Sequence, residues 1–159
     1  VMHASVKAVK RGSVGDPGEL KGSFDLAHDL GDLYANTERG VFGAMEDCPL
    51  TEGDALPVAK ASEIRTGPAV ILSNVRGDSV ETYHIEIIRV LDSSGVQNLL
   101  LQVTDETLIA QTGGIVQGMS GSPILQNGKI VGAVTHVMVN EPTKGYGILI
   151  ENMLAEAGR

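Results

Sequence analysis

The chain has 159 residues and a formal net charge of -8. That is about one domain's worth of polypeptide, long enough to bury a core, and it lacks the basic footprint that nucleic-acid binding requires. Aromatic residues make up 3% and Trp is absent, so the core must be aliphatic, while 20 glycines promise many turns. The lone cysteine, Cys48, excludes an internal disulfide and a cysteine zinc site.

From the N-terminus, "VMHASVKAVKRG" alternates, which predicts a strand with Met2, Ala4, Val6 and Ala8 on one face and His3, Ser5 and Lys7 on the other. Lys7, Lys10 and Arg11 read as a solvated strand end. "GDPGELKG" reads as a loop punctuated by Pro and Gly. His28 stands among aspartates in "DLAHDLGD", a second loop. "GVFGAM" predicts a strand with close backbone approach at Gly43, and "GPAVILSNVRGD" a strand followed by a turn. "ETYHIEIIRVL" is the clearest amphipathic strand, with Tyr83, Ile85 and Ile87 opposed to His84 and Glu86. "VQNLLLQVTD" is another strand, and "DETLIAQTGG" is ambiguous in pattern, with room for a helical turn.

"SPILQNGKIVGAVTHV" predicts a hairpin, because Asn127-Gly128 suits a type I′ turn that needs positive φ twice. "GYGILI" is a last strand and "ENMLAEAG" a terminal helix ending at Gly158. Many short strands with Gly-rich turns point to a single, mainly β domain, a barrel or sandwich. No apolar run approaches the roughly 20 residues that span a bilayer. The chain begins at Val1 rather than Met, so it reads as a processed or cut product, with any targeting segment upstream.

The chemistry concentrates in "QGMSGSP". A serine hydroxyl is a poor nucleophile until a base takes its proton. Attack on a carbonyl creates an oxyanion that needs preorganised donors. In this layout Ser120 Oγ is the candidate nucleophile and the N–H groups of Gly118 and Ser120 are the candidate oxyanion donors. Taken alone, the same residues are also ordinary turn formers. The loop is not a P-loop, since no G-K-[ST] follows. It is not a G-x-S-x-G elbow either, since position 122 is Ser.

"TGGIVQGMSGSPILQNGKIVGAVTHVMVNEPTKGYGI", with "GDPGE", "GVFG" and "GPAVIL", resembles the stage IV sporulation protein B peptidase family, S55. The resemblance runs from about Val6 to Gly158. It implies a trypsin-like double β-barrel of the PA clan, N-terminally incomplete in this chain, and a serine endopeptidase without a cofactor or metal. It further implies cleavage of a membrane-anchored regulatory protein in the space between the membranes around a forespore, by a membrane-associated parent, which activates a late mother-cell sigma factor.

Carried over residue by residue, the family's nucleophile falls on Ser120 and its aspartate on Asp105 in "QVTDETL". Asp105 has a second reading, the N-cap of the turn that follows it. Thr135, His136 and Val137 fall on the strand that lines the peptide groove. Trypsin-like enzymes carry Asp before the nucleophile, paired with a freed N-terminus. Here Met119 stands there, so that salt bridge is not expected. The family's "GH-x-I-[ST]-D"-like histidine motif has no counterpart in this sequence, and the resemblance places it upstream of Val1. Of the four histidines, His3 and His84 lie on polar strand faces and His28 in a loop. Alternation puts His136 with Ile130 and Val134, a packing role. The expectation is therefore a peptidase domain without its base, inactive alone. The alternative is a non-catalytic module that binds an extended peptide by strand addition along "GAVTHV". Unpaired strand edges would favour association.

Overall fold

The computed structural model describes residues 1–45, 55–91 and 95–158. Cys48 lies outside them. The described chain is mostly strand, as the sequence pattern predicts, and its centre is a closed six-stranded barrel. The barrel uses β5 (Gly67–Arg76), β6 (Ser79–Val90), β7 (Leu99–Val103), β8 (Pro123–Gln126), β9 (Lys129–Val137) and β10 (Lys144–Leu149). They close in the order β10-β7-β6-β5-β8-β9, with every neighbour antiparallel. This is consistent with a trypsin-like barrel.

Local signals set most of these strands. Tyr83, Ile85 and Ile87 of β6 are buried while His84 and Glu86 are exposed, as the alternation requires. Asn127 and Gly128 take φ values of 53° and 75°, so the β8–β9 turn has the two left-handed residues expected. The core is aliphatic: Ile71, Ile85, Ile87, Leu99, Leu101, Val103, Ile124, Val131 and Val134 pack inside, with Tyr83 the one aromatic in the cluster. Gly132 lets the barrel close, because a Cβ there would run into the Ile148 carbonyl of β10.

Strands before β5 form two separate two-stranded sheets. β1 (Met2–Lys10) pairs with β2 (Glu19–Asp29), and β3 (Gly31–Thr37) with β4 (Gly40–Met45). Gly43 makes the predicted close approach, its missing Cβ facing the Asp32 carbonyl. Three expectations change here. Met2, Ala4 and Ala8 are exposed while His3 and Ser5 are half-buried: residues 2–5 keep the alternation but turn the opposite face inward, and the register shift between Val6 and Ala8 breaks it only beyond Ser5. "ELKG" is not loop but the start of β2. His28 is also on β2, solvent-exposed, with Nδ1 2.9 Å from Asp25 Oδ2. Lys10 is solvated as expected and pairs with Asp16 at 2.8 Å.

Two α-helices are present among the described residues. α1 (Glu106–Thr112) follows β7, and α2 (Ile150–Ala157) follows β10. α1 ends in the left-handed Gly113, at φ 82°, whereas Gly158 after α2 has φ -85° and does not use glycine's freedom. Every barrel strand is paired on both sides over part of its length. Open strand edges belong to the two hairpins and to the end of β9.

Candidate active site

Ser120 sits in the connection from α1 to β8, within two fused turns. Met119 N–H donates to Val116 O at 3.1 Å, and Ser122 N–H to Met119 O at 3.0 Å. The third residue of each turn is a glycine with positive φ, Gly118 at 97° and Gly121 at 89°. The second residues, Gln117 and Ser120, are not left-handed. Both turns are therefore type II, the form that requires positive φ at its third position. This is why glycines flank Ser120.

The junction of the two turns is Met119, 1% exposed and part of the core cluster. An apolar anchor thus occupies the place before the serine, where trypsin-like enzymes hold a charge. Beyond the serine, Ser122 Oγ donates to Ser73 Oγ of β5 at 3.0 Å, both buried. Gly121 N–H donates to Val134 O at 2.8 Å, and Val134 N–H to Ser122 O at 3.0 Å. The loop is stitched to β5 and β9, so exposed Ser120 is presented on a fixed base.

Fixing the loop leaves two main-chain donors free. Among the described residues, neither Gly118 N–H nor Ser120 N–H has a protein acceptor. Both are predicted oxyanion donors, and they flank Met119 beside the Ser120 hydroxyl. Both residues are solvent-exposed, so these N–H groups are open to water or to a ligand oxygen, as an oxyanion hole requires.

Ser120 Oγ donates to Thr135 O on β9 at 2.9 Å. That carbonyl is presented by a bulge. Tyr146 of β10 faces His136 while Gly147 faces Val134, so Thr135 is an extra residue on β9. Thr135 Oγ1 lies 3.2 Å from Tyr146 O and 3.4 Å from Val96 O, which ties the bulge down. The bulge also corrects the reading of His136. It shifts the alternation by one, so Val134 is buried and His136 is exposed rather than packed. Val137 remains partly buried against the core. β8 pairs with β9 only as far as Ala133. On that side Thr135–Val137 have no strand partner among the described residues and run past the serine as an open edge.

Asp105 caps α1. Its Oδ1 accepts from Thr107 N–H and Leu108 N–H, each at 3.0 Å, and its Oδ2 from His84 N–H at 3.1 Å. Burial raises the carboxyl pKa, but the donations from Leu108, His84 and Thr107 together outweigh it and hold the group below the usual aspartate value. The capping role is thus realised in the fold. Sequence reasoning had no access to the His84 donation, which joins β6 to the β7–α1 turn.

Among the described residues the hydrogen-bond partner of Ser120 Oγ is the Thr135 carbonyl, and no histidine ring bonds to it. One contact to the loop was also invisible in sequence: Leu20 N–H of β2 donates to Gln117 O at 2.8 Å.

No curated protein sequence matches the chain. A family model described as SpoIVB peptidase S55 matches residues 1–154. The match takes in nearly the whole chain, the Ser120 loop and the β9 edge included, and the chain therefore belongs to the SpoIVB peptidase S55 family.

Proposed function

We propose that this chain is the part of a serine endopeptidase that supplies the nucleophile, the oxyanion donors and the substrate-binding strand. The observation that carries this reading is the pair of free N–H groups, Gly118 and Ser120, held beside an exposed serine hydroxyl by two type II turns. Ser120 Oγ attacks the scissile carbonyl, the two N–H groups receive the oxyanion, and the Thr135–Val137 edge takes the peptide as an added strand. Before attack, the hydroxyl must leave the Thr135 carbonyl and hand its proton to a base.

Asp105 is the proposed acid of the triad as well as a helix cap. Each carboxylate oxygen accepts about two hydrogen bonds. Oδ1 already has two donors and Oδ2 only one, so Oδ2 has room for an imidazole N–H. The base itself is a histidine outside these 159 residues, so the isolated chain retains little activity beyond what binding and the oxyanion donors provide. The substrate is a membrane-anchored regulatory protein, cleaved in the space between the forespore membranes as a sporulation signal.

The test compares the full-length protein with the 159-residue chain on a peptide substrate and a fluorophosphonate probe. Full-length protein should cleave and label at Ser120, Ser120→Ala should abolish both, and the short chain should be slower by orders of magnitude. Full-length protein that neither cleaves nor labels, yet still binds extended peptide, would establish the alternative reading, a peptide-binding module. The bond that holds the Ser120 hydroxyl on a main-chain carbonyl favours that second reading.

A further inference from the structure

The two proposed oxyanion donors are oriented by different parts of the molecule. A main-chain N–H points opposite to the carbonyl of its own planar trans peptide, and no peptide in the described chain is cis. Whatever holds the carbonyl therefore aims the N–H. Ser120 N–H shares its peptide with the Met119 carbonyl, which accepts from Ser122 N–H at 3.0 Å, a bond inside the loop itself. Gly118 N–H shares its peptide with the Gln117 carbonyl. Its donor is Leu20 N–H at 2.8 Å, on the N-terminal hairpin.

The 117–118 peptide is the central peptide of the Val116–Met119 turn. Type I and type II turns differ by turning this peptide over. Gly118 permits the type II form at φ 97°, but glycine adopts either sign of φ readily and does not enforce it. Something else must select the orientation. The hairpin holds both main-chain groups of Gln117, since Gln117 N–H also donates to Gly18 O at 2.9 Å. Leu20 packs against Gly118, where an added Cβ would lie 3.0 Å from Leu20 Cβ.

We infer that the main-chain N–H of Leu20 is a positioning group for catalysis: it holds the 117–118 peptide in its type II orientation and so keeps Gly118 N–H aimed into the oxyanion hole. The hairpin is then part of the active-site machinery without touching substrate. With Met119 in place of a charged residue, this bond does the ordering that a buried salt bridge does not. Its loss frees the turn to adopt type I, with Gly118 N–H turned away and one oxyanion donor missing. The inference rests on the peptidase reading above.

The experiment uses the full-length protein and measures kcat and KM separately for Leu20→Pro, Leu20→Ala and Ser120→Ala. Proline removes the N–H and the leucine side chain; alanine removes the side chain beyond Cβ and keeps the N–H. Leu20→Pro should lose about 100-fold or more in kcat, the cost of one oxyanion donor, with KM within a few-fold of the parent. Leu20→Ala should keep most of kcat. Folded Leu20→Pro with parental kcat overturns the inference, as does Leu20→Ala falling as far as Leu20→Pro. In either case an inactive Ser120→Ala leaves the peptidase reading standing. Ser120→Ala with full activity overturns that reading and the inference with it. Hydrogen exchange on the unaltered protein decides the matter if Leu20→Pro does not fold. The Leu20 amide should be protected like the barrel amides, and exchange at the rate of an open strand edge overturns the inference.

Discussion

The barrel and the N-terminal hairpins are built from the same kind of strand, yet different forces hold them. Every member of the main apolar cluster lies at Ala59 or later in the chain. β2, by contrast, is exposed along nearly its whole length, with Phe24 at 67% and Leu26 at 80%. The β1–β2 hairpin is joined to the rest chiefly by main-chain hydrogen bonds: Val6 with Gly77 in both directions, Gly12 to Thr112, Gly15 to Val139, and Leu20 and Gly18 with Gln117; Leu20 is the side chain of β2 that also packs against the cluster. Burial contributes in proportion to apolar area, whereas each hydrogen bond adds little net stability but fixes direction. The barrel thus holds the serine in place, and the hairpin aims a peptide beside it.

The largest expected effect is in the barrel. Leu101 is 0% exposed and lies in the cluster between the neighbours of β7. Leu101→Ala should destabilise by about 2–5 kcal/mol, read as a drop in the urea midpoint at constant slope. A loss near zero would mean the barrel is not where the stability resides.

Next comes the cap of α1. Asp105→Ala removes the acceptor for Thr107 and Leu108 N–H and should cost about 1 kcal/mol. Leaving His84 N–H without its partner adds to this. The effect is pH-dependent in a defined sense. The folded pKa lies below the ordinary aspartate value, so the carboxylate's contribution is fully present above about pH 4 and is lost as pH falls through the folded pKa. Thermal melts of the parent and Asp105→Asn should converge on acidification. A gap that widens instead would reverse the assignment of those donations.

The β8–β9 turn should show a similar or smaller effect. Asn127→Ala places a residue with a Cβ and no local hydrogen-bonding side chain at φ 53°, at a cost of about 1 kcal/mol. Asn127→Gly should be nearly neutral. Unfolding free energies of the pair check this.

What the sequence made legible was local. The alternation of β6, the Asn127-Gly128 turn and the cap at Asp105 each depend on residues within a few positions, and each is present. The Ser120 loop was legible because glycines at 118 and 121 are what two type II turns demand. The misses have separate causes. β1 and β9 carry register shifts, and a bulge leaves no mark in the hydrophobic pattern while it turns every later side chain over. This is why His136 is exposed, whereas Met2 and Ala4 precede the Val6/Ala8 shift on β1 and lie on the outer face of a strand whose alternation does not by itself say which face turns inward. His28 was hidden by composition, since "DLAHDLGD" carries too many aspartates to read as strand. The Leu20–Gln117 bond joins main-chain atoms far apart in sequence, so no side chain announces it.

The smallest expected effect tests the comparison from its weak side. Phe24 is a large apolar residue in a strand, and from sequence it has the same claim to a core position as Leu101. At 67% exposure it has little area to lose on unfolding, and truncations at such sites change stability by less than about 0.5 kcal/mol. Its direct partner across the hairpin is Ala4, also exposed, so the pair contributes at most a few tenths. Phe24→Ala should therefore leave the urea midpoint almost unmoved, against the several-kilocalorie loss at Leu101. A drop comparable to that of Leu101→Ala would show that the hairpin is held by apolar burial after all. The division between a barrel that stabilises and a hairpin that orients would then fail.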